Sequence, residues 1–350
     1  MITTIRLQQF RSYRDASFEI SPGVNIVVGP NASGKTNLLE AVLLLARGGS
    51  YRAKDGQLVQ FDASWARLDA DLPSHHRTVK IAGEDAVKTF EIDGQKLARL
   101  HHSRLLPTVL FEPNHLFLFS ATPDARRAFL DDLIEQTDPA YANIRKQYRR
   151  VLAHRNALLK RSPRDISQQL FVWNLRLSEL AGQMVRQRVA LVTLFDTEAP
   201  ALYTSLANDQ KKLGFAYLSR FPLEGYETAL LKKLESSVEL ETARGFTLYG
   251  AHRDDLLATL DGKPVSEVAS RGEIRSILLV LKIMELTILE QKTGQRPLLL
   301  LDDVFSELDA RRRQALTKHV ANYQTFITTT DADVVIQHFT NCNIIPLNAV

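Results

Sequence analysis

Eight consecutive residues, GPNASGKT at Gly29–Thr36, fit the Gly-x-x-x-x-Gly-Lys-Ser/Thr pattern. In that pattern backbone N–H groups wrap the phosphates of ATP while a lysine reaches the β and γ oxygens. The reading makes Gly29, Pro30, Asn31, Ala32, Ser33, Gly34, Lys35, Thr36 and the adjoining Asn37 an ATP-binding segment. Lys35 is then the phosphate cation, and Thr36 supplies a hydroxyl ligand to Mg²⁺. Gly29 and Gly34 allow the backbone to approach phosphate without a Cβ in the way. So short a pattern needs a strand before it and a helix after it. VNIVVG (24–29) is a short apolar run, and 37–47 is leucine-rich and continuous.

A second chemical cluster is LLLLDDVFSELD, 298–309. Four leucines ending in two aspartates read as a central parallel strand that delivers carboxylates to its C-terminal edge. Asp302 is placed to hold Mg²⁺, directly or through water, and Asp303 to orient or deprotonate an attacking water. The alternative for Asp303 is a supporting or capping carboxylate. A third segment, SRGE at 270–273, carries little signal alone. Its hydroxyl (Ser270), its bare backbone N–H (Gly272) and a helix start that includes Glu273 could together clamp an anion.

These groups need a scaffold, and the chain is long enough for one. At 350 residues, about two domains are expected. The first 135 residues alternate as strands and turns, with TIRLQQF and SFEI first and a hairpin at 87–100 turning at Asp93-Gly94. From 136 to 244 the texture is polar and helix-favouring, punctuated by Pro139, Pro163, Pro200 and Pro222. Leu170, Trp173, Leu177, Leu180, Met184, Gln187, Leu191 and Leu194 form a heptad seam there, interrupted only by Gln187. Such a seam serves equally as the packed face of one helix or as an intermolecular coil. After 245 strands and apolar helices return. The expectation is an α/β head built from 1–135 and 245–350, with a helical lobe of 136–244 inserted.

Composition narrows the class further. No apolar run reaches the ~18–20 residues of a membrane span, and MITTIRLQQF lacks the apolar core of a secretion signal. A cytoplasmic protein with no membrane partner is expected. The single cysteine, Cys342, excludes an internal disulfide and a Cys-cluster metal site. A net charge of +4 and pI near 9.1 tilt mildly toward polyanion partners.

Ser306-x-x-Asp309 directly after the double-aspartate strand resembles the ABC-type ATPases, where this segment lines a dimer seam. The resemblance implies that Ser270, Gly272 and Glu273 read the γ-phosphate of ATP held by a second copy. Three further segments resemble the RecF family of bacterial DNA-repair proteins. FRSY (10–13) is one, and in it Arg11 and Tyr13 could reach the nucleotide, with an exposed strand end as the alternative. FEPNHLFLFSATPDARRAFLD (111–131) is the second, departing from the family at Asn114, His115 and Ala121. GAHRDDL (250–256) is the third, with Ala251 in place of proline. Within it His252, Arg253 and the two aspartates are read as an ion-pair cluster rather than a metal site, since adjacent carboxylates on a strand face opposite ways.

TTTD (328–331) offers no histidine after the last core strand, unlike transporter ATPases. The RecF resemblance implies an ABC-type head with cofactors ATP and Mg²⁺ and an ATP-dependent homodimer. It also implies slow, DNA-stimulated ATP hydrolysis acting as a switch at single-strand gaps or junctions, with RecR, RecO and RecA as partners. The alternative is a structural or transport ATPase that does not act on gapped DNA.

DNA contact, if present, points to 145–164, where eight Lys or Arg occur without an acidic residue. Arg145, Lys146, Arg149 and Arg150 share a helical stretch suited to sequence-independent phosphate binding. A solvated helix surface is the alternative. Arg311, Arg312, Arg313 and Lys318 form a second basic group, assigned to the ATP interface or to the fold.

Overall fold

TIRLQQF becomes β1 (Thr4–Phe10), which pairs antiparallel with β2 (Tyr13–Glu19) across a tight turn at 11–12. The computed structural model describes residues 1–83, 85–161, 166–207, 210–339 and 341–348, with the side chains of 306 and 334 outside that description. Arg164 therefore lies outside the described residues, as does the side chain of Ser306. The chain divides into two units: Met1–Leu116 together with Lys282–Val350, and Phe117–Leu281.

In the first unit, β3 (Val24–Val28) runs into the Gly29–Thr36 loop and then α1 (Lys35–Arg47). Strands β4 (Trp65–Leu72), β5 (His75–Ala82), β6 (Val87–Ile92) and β7 (Gln95–Leu97) extend an antiparallel sheet in the order β2-β1-β4-β5-β6-β7. Asp93 and Gly94 take φ of 49° and 80°, which supplies the left-handed turn expected between β6 and β7. After β8 (Thr108–Phe111) the chain leaves this unit.

The second unit holds α2 (Pro123–Thr137), α3 (Pro139–Arg161) and the 42-residue α4 (Ile166–Ala207). It continues through β9 (Leu213–Leu218), α5 (Tyr226–Ser236), α6 (Val238–Arg244), β10 (Asp255–Leu260), β11 (Lys263–Pro264) and the short α7 (Val265–Val268). Helix α8 (Arg271–Thr293) starts here and ends in the first unit. There β12 (Leu298–Leu301), α9 (Val304–Glu307), α10 (Ala310–Val320), β13 (Thr325–Thr329), α11 (Ala332–Ile336) and β14 (Cys342–Pro346) complete the chain.

The order of the parallel sheet, β14-β3-β13-β12-β8, explains the leucine run. β12 sits between β13 and β8 with all four leucines buried, so it has no solvent face on which to place a polar residue. α1 lies in the core common to both sheets: Leu38, Leu39 and Val42 cluster with Ile5 and Leu68 of the antiparallel sheet and with Leu300 and Phe326 of the parallel one. That placement fixes the helix, and with it the loop that precedes it.

The second unit departs from the sequence expectation at several points. Its extent, Phe117–Leu281, takes in α2, β10 and β11 as well as 136–244, and it is not wholly helical. β9 and β10 pair over six residues, and Arg126 of α2 binds Asp255 of β10 through two bonds of 2.8 Å. Pro200 does not end a helix, because α4 runs through it. The seam residues Leu170, Leu177, Leu180, Met184 and Leu191 are buried within this unit, so the seam is an internal packing face. Gln187 is exposed and donates to Asp138.

One acid in this unit titrates unusually. Asp254 is buried and accepts hydrogen bonds from Tyr217 (2.9 Å) and Tyr226 (3.3 Å), yet burial pushes its carboxyl up to about 6. A folded-state value above the unfolded one favours folding fully at low pH, and that gain is lost as pH rises through about 6. Asp254→Asn keeps the acceptor but cannot ionise. Its unfolding midpoint should therefore gain on the wild type between about pH 4 and pH 7. Paired urea titrations across that range check this, and a constant gap between the two proteins would refute it.

Candidate functional site

The Gly29–Thr36 loop is preformed. Ala32 and Gly34 take φ of 67° and 98°, and the Lys35 ammonium donates to the carbonyls of Gly29 (2.9 Å) and Pro30 (3.0 Å). A Cβ on Gly29 would lie 2.5 Å from Ser33 Oγ and 2.6 Å from the Leu347 carbonyl oxygen, so only glycine fits. The Ser33 hydroxyl is buried without a hydrogen-bond partner among the described residues, as suits a loop that completes its bonding on a ligand.

The turn between β1 and β2 backs this loop. Tyr13 donates to the Gly34 carbonyl (3.0 Å), and Asn37 donates to Ser12 Oγ (2.9 Å). Arg11 is anchored within the fold. Its guanidinium forms two 2.9 Å bonds to Glu40, a fully buried carboxylate of α1. Arg52 adds a bond to Glu40 (3.2 Å) and one to Asn37 Oδ1 (2.7 Å), and the Ser50 hydroxyl also donates to Glu40. Burial alone would raise the Glu40 carboxyl, but these donors hold it below its ordinary range. Arg11 thus fastens the loop's helix to the first turn of the chain.

Across the sheet edge, Asp302 closes on the loop. Its Oδ1 accepts from Thr36 Oγ1 (3.0 Å) and Thr328 Oγ1 (2.9 Å), and its Oδ2 from the Tyr51 hydroxyl (3.3 Å). Parallel pairing explains the convergence: Leu301 is level with Ile327, so the next residues, Asp302 and Thr328, emerge side by side. Asp303 turns away into a left-handed conformation, φ 53°, with its N–H donating to Thr328 Oγ1 (2.8 Å). Burial raises the Asp303 carboxyl, opposed by Lys35 and reinforced by Asp302.

Three contributors were not legible in advance. Tyr51 lies outside any motif, Glu112 falls in the 111–131 segment without being singled out there, and Thr328 was noted only for not being histidine. Glu112 follows β8 and its carboxyl is raised by burial and by nearby Asp302. His115, one of the departures from the family pattern, accepts from the Glu112 N–H (3.1 Å). Burial and then Lys282 push His115 down to about 2, so it is neutral.

The remaining candidates are placed as follows. Ser270 and Glu273 form a capping box at the start of α8: the Ser270 N–H donates to Glu273 Oε2 (2.7 Å) and the Glu273 N–H to Ser270 Oγ (3.3 Å). Lys211 and then Ser270 hold the Glu273 carboxyl down to about 2, so it stays charged. Gly272 lies in the first turn of this helix. Asp309 caps α10 by accepting from the Arg312 N–H (2.9 Å) and pairs with the Arg312 guanidinium, while Arg313 donates to the Phe305 carbonyl (3.1 Å). The second basic group therefore contributes to the fold.

The basic stretch of α3 splits in two. Lys146, Arg149 and Arg150 are exposed and pair with no carboxylate among the described residues. Arg145 is held by Asp131 (3.0 Å) and Glu135 (2.8 Å), and Arg155 is buried. Nearby, Arg188 binds Asp131 through two bonds, and His252 Nδ1 pairs with the Tyr148 hydroxyl (2.7 Å). Among the described residues no cluster of His, Cys, Asp or Glu could hold a metal ion unaided, and no helix is long and apolar enough to cross a membrane.

Residues 1–347 match the model of the RecF/RecN/SMC N terminal domain. The chain is 37% identical over 342 residues to the DNA replication and repair protein RecF of Heliobacterium modesticaldum, covering 94% of this chain and 92% of that one. It is 34% identical over 348 residues to the protein of that name from Acetivibrio thermocellus, covering 95% and 94%. Among solved structures, "the recombination mediator protein RecF-ATPrS in RecFOR pathway" superposes with a TM-score of 0.87 at 29% identity, covering 99% of this chain and 97% of that one.

Proposed function

The chain belongs to the RecF family, whose head is an ABC-type ATPase fold, and on that premise we propose that it is an ATP-driven switch of DNA replication and repair. The observation that carries this reading is the meeting of Thr36 and Asp302 at 3.0 Å across 266 residues of chain, beside a loop already shaped for phosphate. A hydroxyl and a carboxylate oxygen at that spacing suit a small hard cation. Mg²⁺ held there would neutralise charge on the β and γ oxygens.

Lys35 holds the same oxygens from the loop side, and Asp303 orients or deprotonates the attacking water. Ser270, Gly272 and Glu273, capped at an exposed helix start, read the γ-phosphate of ATP held by a second copy, with Ser306 and Asp309 along the seam. Lys146, Arg149 and Arg150, and more weakly the already paired Arg145, offer DNA backbone a sequence-independent basic face. ATP joins two copies on DNA at a gap or junction, and slow hydrolysis, stimulated by DNA, releases it. RecR, RecO and RecA are the partners that the family resemblance implies, and the solved relative's place in the RecFOR pathway supports the first two.

Equilibrium sedimentation tests the switch. ATP should move the protein from monomer toward dimer, and Ser270→Arg should abolish that shift with ATP affinity unchanged. A wild type that stays monomeric with ATP and gapped duplex overturns the reading. Dimerisation by ATP without any effect of DNA on turnover would favour a switch that does not act on gapped DNA.

A further inference from the structure

An acidic side chain stands where the proposed signature must receive an anion. Glu273 lies in the first turn of α8, its N–H bonded to the Ser270 hydroxyl (3.3 Å). The first N–H groups of any helix lack intrahelical acceptors, and here those of Arg271 and Gly272 are the ones offered to a phosphate. A carboxylate in the same turn favours the helix but repels that phosphate. Lys211 and then Ser270 hold the Glu273 carboxyl down to about 2, so protonation does not remove the charge.

Lys211 supplies the counter-charge from 62 residues earlier in the chain. Its ammonium binds Glu273 Oε1, while Oε2 accepts from the Ser270 N–H (2.7 Å), so both carboxylate oxygens are taken up. The backbone around Lys211 is fixed to the segment that leads into Ser270, all of it within the Phe117–Leu281 unit. The Lys212 N–H donates to Asp261 Oδ1 (2.8 Å) and the Asp261 N–H to the Lys212 carbonyl (2.9 Å), closing the start of β9 onto the turn between β10 and β11. Asp261 and Gly262 hold that turn at φ of 50° and 76°. From it β11 and α7 lead directly to Ala269, whose N–H donates to the Val265 carbonyl (3.1 Å), and Ser270 is next.

We propose that Lys211 is a positioning residue of the signature: it cancels the Glu273 charge and holds that carboxylate on the Ser270 N–H, leaving the Ser270 hydroxyl proton and the N–H groups of Arg271 and Gly272 for the γ-phosphate of a second copy's ATP. The inference rests on the reading of Ser270, Gly272 and Glu273 given above, and adds to it the cation that lets a glutamate stand there. Glutamine at the same place would keep the capping bond without the charge. With glutamate, the counter-charge becomes necessary.

Equilibrium sedimentation with Mg²⁺–ATP, beside a titration of ATP affinity, separates the two claims. Lys211→Ala should weaken ATP-driven pairing roughly ten-fold, since a charge at a helix terminus counts for a few-fold and each pair of copies has two such termini, with ATP affinity unchanged. Lys211→Arg should pair as wild type does. Combining Lys211→Ala with Glu273→Gln should restore pairing, a rescue that a merely structural role of Lys211 would not allow. A wild type that stays monomeric, or a Ser270→Arg variant that still pairs, would overturn the signature reading together with this one. Where wild type pairs and Ser270→Arg does not, normal pairing of Lys211→Ala, or a loss that Glu273→Gln leaves unrepaired, would overturn the role of Lys211 alone.

Discussion

Arg155→Ala should destabilise the Phe117–Leu281 unit by about 3–5 kcal/mol, the usual effect of stranding one member of a buried ion pair. Arg155 and Glu241 are both 0% exposed and meet at 2.6 Å. The guanidinium spends its other donors on Asn174 (2.7 Å) and Thr247 (2.8 Å). Glu241 also accepts from the Leu248 N–H (2.7 Å), and the Thr247 hydroxyl passes its own proton to Asn156 (2.7 Å). The network thus ties α3, α4 and α6 to the segment after Gly245. Removing the cation leaves a fully buried carboxylate without its charged partner.

Trp173 provides the readout, because its ring stacks on His154 at 5.0 Å between α3 and α4. With Trp65, the other tryptophan, changed to phenylalanine, urea unfolding followed by fluorescence reports this unit alone. The expected midpoint drop should be largely recovered by pairing Arg155→Met with Glu241→Leu, since a pair replaced together by apolar groups leaves no orphaned charge. A loss under about 1 kcal/mol for Arg155→Ala would mean that the carboxylate finds solvent, and the burial argument would fail.

Arg155 also shows where sequence reading stops. It sits in a run of basic residues whose composition speaks for a solvated or nucleic-acid face, and Lys146, Arg149 and Arg150 do lie exposed on α3. Nothing local distinguishes Arg155 from them, because its partner Glu241 is 86 residues away. The phosphate loop and the leucine strand were legible for the opposite reason: each is a local pattern whose spacing sets its own geometry. Leu298–Leu301 could be read as a central strand because burial on both faces leaves no polar alternation.

Pairings made by topology were not readable in this way. Thr328 reaches Asp302 only because β13 lies beside β12 in parallel register, a fact of the folded sheet. Tyr51 reaches the same carboxylate from the loop after α1, and Glu40 gathers Ser50 and Arg52 from that loop and Arg11 from the first turn of the chain. Arg11 was flagged by its motif, but its partner Glu40 was not.

Asp303→Asn should lower ATP turnover by about 10²–10⁴-fold, the range expected when a positioned acid–base group is lost, while ATP affinity stays within a few-fold of wild type. The substitution suits the position. Asp303 holds a left-handed backbone, φ 53° and ψ 6°, which asparagine adopts as readily as aspartate, and its anchoring bond to Thr328 uses the backbone N–H. Shape and strand-end geometry therefore survive: the negative charge near Lys35 and Asp302 is removed, while the amide oxygen can still accept the side-chain hydrogen bond from Thr328. Asp302 is different, because its carboxylate gathers Thr36, Thr328 and Tyr51 and its loss would disturb the loop itself.

Single-turnover hydrolysis gives the rate, titration gives the affinity, and sedimentation gives the lifetime of the ATP-joined pair. A variant that binds ATP and pairs normally but rarely cleaves should hold the dimer far longer than wild type, since in a switch of this kind hydrolysis is the exit. Near-normal turnover would make Asp303 a supporting carboxylate and leave the attacking water to be placed by another group at this edge, of which Glu112, raised by its burial and by Asp302, is a candidate.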